Sequence, residues 1–136
     1  MADIQVAPST YDGVSRRLGV VWISALIGYV VFHEAAGTMV YRKTTDGGQT
    51  WGASINIVST VAITGSGVWY DKWTPGDSGT TIHLVYTDVG SAHNVYYRDL
   101  DTADDSLGTE ITVFDGASAV GGVNSCIAVT KAIGGN

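Results

Sequence analysis

Hydrophobic positions along the chain come in short runs that alternate with polar ones, and the runs are rich in Val, Ile, Tyr and Thr. Each run is bounded by Gly, Asp or Ser, which is the pattern of half-buried strands separated by turns. Strands are predicted at Leu18–Ala25, Gly28–Glu34, Thr38–Thr44, Ala53–Ser59, Thr60–Thr64, Gly67–Asp71, Thr80–Asp88, Asn94–Leu100, Thr109–Asp115 and Ser125–Ala132. No window of a dozen residues carries a 3.6-residue period, so a long helix is not expected. The predicted class is all-β.

The pattern also repeats. Phe32-His33-Glu34 aligns with Tyr86-Thr87-Asp88 at an offset of 54, and Tyr41-Arg42 aligns with Tyr97-Arg98 at an offset of 56. Ile55 aligns with Ile111 at that second offset. The drift of two falls after Glu34 and Asp88, where a hairpin loop absorbs it. A third copy is expected to begin at Val123, with Ile127-Ala128-Val129-Thr130 read as another first strand.

A period near 55 residues with about four strands per copy points to propeller blades or a related β-array. The expectation is therefore propeller-like blades of four-stranded antiparallel sheet, two full repeats plus the start of a third. Residues 1–17 are read as an N-terminal arm, 18–59 as repeat 1, 60–116 as repeat 2 and 117–136 as the start of repeat 3. A closed propeller needs four to eight blades, so the chain is expected to be incomplete as a monomer. Sister chains, or the remaining blades of a longer protein, would complete it.

The most specific motif is a turn, Thr44-Thr45-Asp46-Gly47-Gly48-Gln49-Thr50-Trp51. Asp-Gly is a strong hairpin signal, because glycine reaches the positive φ that tight turns require. The Asp46 carboxylate can accept from backbone N–H groups ahead of it, and Trp51 can fold beneath as an apolar plug. The octapeptide resembles the Asp-box, or bacterial neuraminidase repeat, of sialidase-like β-propellers. Thr44, Asp46, Gly48, Thr50 and Trp51 fill the five defined places. In the second copy, residues 99–108 occupy the same place without the tryptophan or the Asp-x-Gly-x-Thr core. The resemblance implies a bracing role for the box, on the rim and away from any active site.

Members of that family with sialidase activity use three arginines, a tyrosine nucleophile assisted by a glutamate, and an aspartate acid/base. This chain has Arg16, Arg17, Arg42 and Arg98, and its only glutamates are Glu34 and Glu110. Arg42 and Arg98 stand at equivalent repeat positions, which suits a structural place. Ser15-Arg16-Arg17-Leu18 lacks the proline of the family's Arg-Ile-Pro type motif. No complete catalytic constellation is present, and no enzyme activity is expected of this chain. Asp71, Asp77 and Asp88 are read as solvated turn or strand-end residues rather than a glycosidase pair.

Composition narrows the partners. Seven Lys and Arg against thirteen Asp and Glu give a net charge of −6, and nucleic-acid binding needs a basic face. Nucleic acid is excluded as the main partner, and membrane insertion is not expected. The single cysteine, Cys126, allows no intrachain disulfide and reads as a buried, inert thiol. His33, His83 and His93 lack zinc-ligand spacing. Asp99, Asp101, Asp105 and Glu110 are spaced loosely like a calcium loop, although Asp104 stands where that loop needs glycine. Calcium is the one candidate cofactor. The segment Val68–Asp77 brings Trp69, Tyr70 and Trp73 together as candidate glycan contacts, with alternation expected to bury Trp69 and expose Tyr70.

The functional expectation is a non-enzymatic structural or adhesive β-repeat module that assembles with other chains. A phage virion, tail or surface-fibre component with glycan binding fits, located outside the cell or on a virion surface; the chain shows no signal peptide. The alternative is the N-terminal part of a sialidase-like glycoside hydrolase with its catalytic residues elsewhere.

Overall fold

A computed structural model describes residues 19–34, 38–59, 63–88, 94–116 and 127–133. The expected N-terminal arm, Arg16, Arg17, His93 and Cys126 lie outside them. The chain divides into two compact units, Met1–Ala62 and Ile63–Asn136.

The first unit holds β1 (Gly19–Trp22), β2 (Gly28–Glu34), β3 (Thr38–Thr44) and β4 (Ile55–Val58), hydrogen-bonded in that order as an antiparallel sheet. The second holds β5 (Ile63–Tyr70), β6 (Thr81–Asp88), β7 (Val95–Asp101) and β8 (Ile111–Phe114), ordered the same way, with a single 3-10 turn at Asp71–Trp73. The protein is all-β, built of two four-stranded antiparallel sheets.

The two sheets share their register. Val30 faces Arg42 across β2 and β3, and Leu84 faces Arg98 across β6 and β7. Tyr41 faces Ile55, and Tyr97 faces Ile111. Each sheet carries an irregularity at the same point, between Met39 and Val40 and between Val95 and Tyr96. Register is fixed by which face is buried, since a one-residue slip exchanges the faces. Beyond the strands, Gly52 N–H donates to Lys43 O at 2.9 Å and Gly108 N–H to Asp99 O at 2.9 Å, again 56 positions apart.

Both faces of the first sheet are packed. Val21, Tyr29, Val31 and Tyr41 lie on one face, with the two tyrosine rings 6.0 Å apart. Val30, Phe32 and Val40 form a buried cluster on the other, against which Trp51 packs. In the second sheet Ile82, Leu84, Tyr86 and Leu100 are buried on one face, and Tyr86 stacks on Tyr96 at 5.6 Å. Burying such side chains contributes roughly 1.5–3 kcal/mol each.

Several boundaries depart from expectation. The first strand stops at Trp22, because Ser24 Oγ accepts from Leu26 N–H at 3.3 Å and Ile27 N–H at 3.0 Å and turns the chain. The strands expected at Thr60–Thr64 and Gly67–Asp71 are merged, over their described residues, in the single β5. Its Gly65-Ser66-Gly67 stays in the ladder across a register shift between Ile63 and Gly65. Asp71 leaves that strand for the 3-10 turn. The strand expected at Ser125–Ala132 is not formed: its described residues, 127–132, join no sheet, and their anchorage to the second unit is through Lys131.

Candidate functional site

The octapeptide after β3 folds as a turn centred on one carboxylate. Thr50 N–H donates to Asp46 Oδ1 at 2.9 Å, and Thr50 Oγ1 donates to Oδ2 at 2.6 Å. Thr44 Oγ1 donates to Oδ1 at 2.8 Å and accepts from Gly48 N–H at 2.9 Å. Gly47 and Gly48 hold φ of 74° and 85°, which only glycine adopts freely. Gly47 N–H reaches Leu26 O at 2.9 Å, tying the turn to the β1–β2 loop. Trp51 meets Trp22 edge-on, with ring centroids 6.3 Å apart. The Thr50 hydroxyl first, then Thr50 N–H and the Thr44 hydroxyl, hold the Asp46 carboxyl down at about 2. The five box residues are thus brought together as one braced turn.

The equivalent turn after β7 is closed by other means. Thr102 stands where the first copy has Asp46, and its N–H and Oγ1 both donate to Thr80 O, at 3.0 and 2.7 Å. Asp101 Oδ1 accepts from Ala103 N–H at 2.9 Å, and Asp104 Oδ1 from Ser106 N–H at 2.9 Å. Asp105 takes the left-handed φ of 64°, a conformation aspartate tolerates better than most residues. The residues spaced like a calcium loop have other partners in the fold. Asp101 is used within the turn, Asp99 lies against Gly108, and Glu110 Oε2 accepts from Tyr86 Oη. Among the described residues no group of three or more His, Cys, Asp or Glu could hold a metal ion.

The most connected charged group is one that sequence reasoning placed in solvent. Asp71 is 3% exposed. Its Oδ1 accepts from Lys131 Nζ at 2.9 Å and lies 2.7 Å from His83 Nε2, while Oδ2 accepts from Thr81 N–H at 3.0 Å. His83 Nδ1 in turn meets Tyr97 Oη at 2.7 Å. Lys131 Nζ also reaches Asp77 Oδ2 at 2.8 Å, and Asp77 Oδ1 accepts from Gly79 N–H at 2.8 Å. Burial pushes the Asp71 carboxyl up, but Lys131, His83 and Thr81 N–H outweigh it and hold it at about 2. A methyl on Gly79 would lie 2.1 Å from Asp71 Oδ2, so this glycine makes room for the carboxylate. Asp88 is likewise buried, accepting from Asn94 N–H at 3.0 Å and Tyr96 Oη at 3.1 Å. Asp71 and Asp88 are therefore interior anchors, not solvated turn residues.

The aromatic segment also departs from expectation. Tyr70 is buried at 2% exposure, because it shares the face of Ile82, Leu84 and Leu100. Trp69 is half-buried, and its indole N–H donates to Thr74 Oγ1 at 2.9 Å. Trp73 is 43% exposed and stands edge-on to both rings, 5.7 Å from Trp69 and 6.4 Å from Tyr70. Of the three, Trp73 is the ring open to a ligand.

The described arginines, Arg42 and Arg98, are occupied. Arg42 Nε donates to Ser54 Oγ at 2.9 Å and its Nη2 lies 3.5 Å from Glu34 Oε1. Arg98 Nε donates to Gly108 O at 2.7 Å. Both guanidiniums tie β3 or β7 to the segment entering the next strand. Tyr86 and Glu110 pair, but Tyr86 is fully buried, and burial first, then Glu110, push its hydroxyl up well beyond the ordinary tyrosine range. Among the described residues no helix is long and apolar enough to cross a membrane.

No known protein family, curated protein or solved structure matches this chain.

Proposed function

We propose that this chain is a non-enzymatic structural or adhesive module whose two sheets are propeller-like blades that assemble with further sheets of the same kind. The observation that supports it is the shared register: two four-stranded sheets with the same partners and the same irregularity, 54 to 56 positions apart. Repeats of this type stabilise one another by stacking, and isolated copies are weak. The Asp46 turn has the bonding expected of an Asp-box, so the likeness to sialidase-like propellers is proposed as one of scaffold. Its chemistry is spent inside the turn, which suits bracing rather than catalysis.

Outward apolar side chains favour assembly. Val20 and Trp22 on β1, and Ile111, Val113 and Phe114 on β8, are each 45–60% exposed, and such rows on edge strands invite a partner. A virion or surface-fibre part is the setting proposed, with Trp73 as the contact for a sugar ring. Light scattering of the purified chain after size exclusion tests the reading. A discrete oligomer or a regular filament is expected; a monomer that melts without cooperativity would overturn it.

A further inference from the structure

Cross-strand partners share a face of a sheet, and neighbours along a strand point to opposite faces. Val20 faces Val30 and Trp22 faces Gly28, so both belong to the face of Val30, Phe32 and Val40. In the second sheet Val85 faces Tyr97, which faces Ile111, while Thr87 faces Val95, which faces Phe114. Ile111 and Phe114 therefore belong to the face that carries Val31, Met39 and Tyr41 in the first sheet. The exposed apolar rows of the two sheets lie on opposite faces of the repeat.

Each row has a closed counterpart in the other sheet. Tyr70 meets Ile82 as Trp22 meets Gly28, yet Tyr70 is 2% exposed and Trp22 45%. Val58 meets Met39 as Phe114 meets Val95, yet Val58 is 7% exposed and Phe114 59%. Along that second face Met39 and Tyr41 are fully buried, whereas their equivalents Val95 and Tyr97 are only partly so. Ile127 and Ala128 pass over its Gly67 end, away from the exposed row on β8. The chain is left with one open face of each kind.

We propose that the Val20 and Trp22 face of one copy of the chain seats on the Ile111 and Phe114 face of a second copy. The inference rests on the assembly reading and names the surfaces that carry it. The occupant follows from burial at equivalent positions: the repeat closes each of these faces in one sheet and leaves it open in the other, and a second copy brings the complementary open face. Neither β1 nor β8 carries a charge, so chains of net charge −6 meet where like-charge repulsion is least. Because the two surfaces differ, the contact is heterologous, and repeated in one sense it closes a ring or runs on as a filament.

Two full-length variants test it. Val20→Glu blocks the first row and spares the second, and Phe114→Glu does the reverse. Each alone is expected to need at least about a hundredfold higher concentration to assemble, as for the loss of one buried apolar side chain. Mixed in equal amounts, they share one intact pair of rows, so light scattering and mass spectrometry should find a one-to-one heterodimer that grows no further. If either variant alone assembles or forms a homodimer where the natural chain assembles, or the mixture stays monomeric there, the seating is overturned while the assembly reading stands. A monomeric natural chain overturns both. Circular dichroism checks that each variant is folded; where one is not, hydroxyl-radical footprinting of the natural chain across its assembly range replaces it. Trp22 and Phe114 are then expected to lose labelling together, and either one still labelled in the assembled state overturns the seating.

Discussion

Asp46 in the first sheet and Asp71 in the second are both held at about 2, well below their ordinary 3.8, by different means. Asp46 sits at the surface and draws its bonds from residues within four positions, all hydroxyls and backbone N–H groups. Asp71 is buried and draws on a backbone N–H 10 positions away, a histidine 12 away and a lysine 60 away. The first carboxylate shapes a loop that the local sequence already favours. The second joins three stretches of chain that only the finished fold brings together, so its energetic weight is greater.

The sharpest way to break this comparison is Asp71→Ala. It is expected to destabilise the fold by about 3 kcal/mol, since His83 loses a partner and Lys131 loses one of two in a low-dielectric setting. Chemical denaturation followed by tryptophan fluorescence measures it; a loss below about 1 kcal/mol would place Asp71 with ordinary surface ion pairs.

Acid provides the next test. Because the Asp71 pKa is lower in the folded chain than its ordinary value, its contribution is fully present above about pH 4 and is lost as pH falls toward 2. The span corresponds to about 2 kcal/mol. In Asp71→Asn the acid limb of the stability profile should flatten, and an unchanged limb would refute the assignment.

Asp46→Ala comes third. It should speed amide exchange at Gly48 and Thr50 while leaving the β2–β3 ladder protected, with a fall in melting temperature of roughly half that of Asp71→Ala or less, as exposed groups contribute little. Gln49→Ala should be smallest, within about 0.5 kcal/mol, because the Gln49 amide donates only to the exposed Asp46 O.

The same contrast explains what was legible beforehand. Alternation and turn residues located the strands to within a few positions, and the box could be read because its partners lie inside eight residues. Asp71 could not, because nothing local distinguishes a carboxylate bound for Lys131 from one bound for water. Gly79 makes room for that carboxylate, a need that shows only once the fold brings the two together. Tyr70 was misplaced because alternation gives a period without a phase: facing Ile82 on the packed side decided which ring went inside. The second turn looked decayed because its motif is gone, yet Asp101, Thr102 and Asp104 close it with different atoms.

The indoles have a consequence of their own. Trp22 and Trp51 are paired in the first sheet, and Trp69 and Trp73 in the second, each at about 6 Å between centroids and steeply inclined. All four tryptophans of the chain are used in these pairs. Transition dipoles this close couple, so each sheet carries its own exciton couplet in circular dichroism, which vanishes when that pair comes apart. Replacing Trp73 with phenylalanine silences one couplet and leaves the other as a private optical reporter of the first sheet.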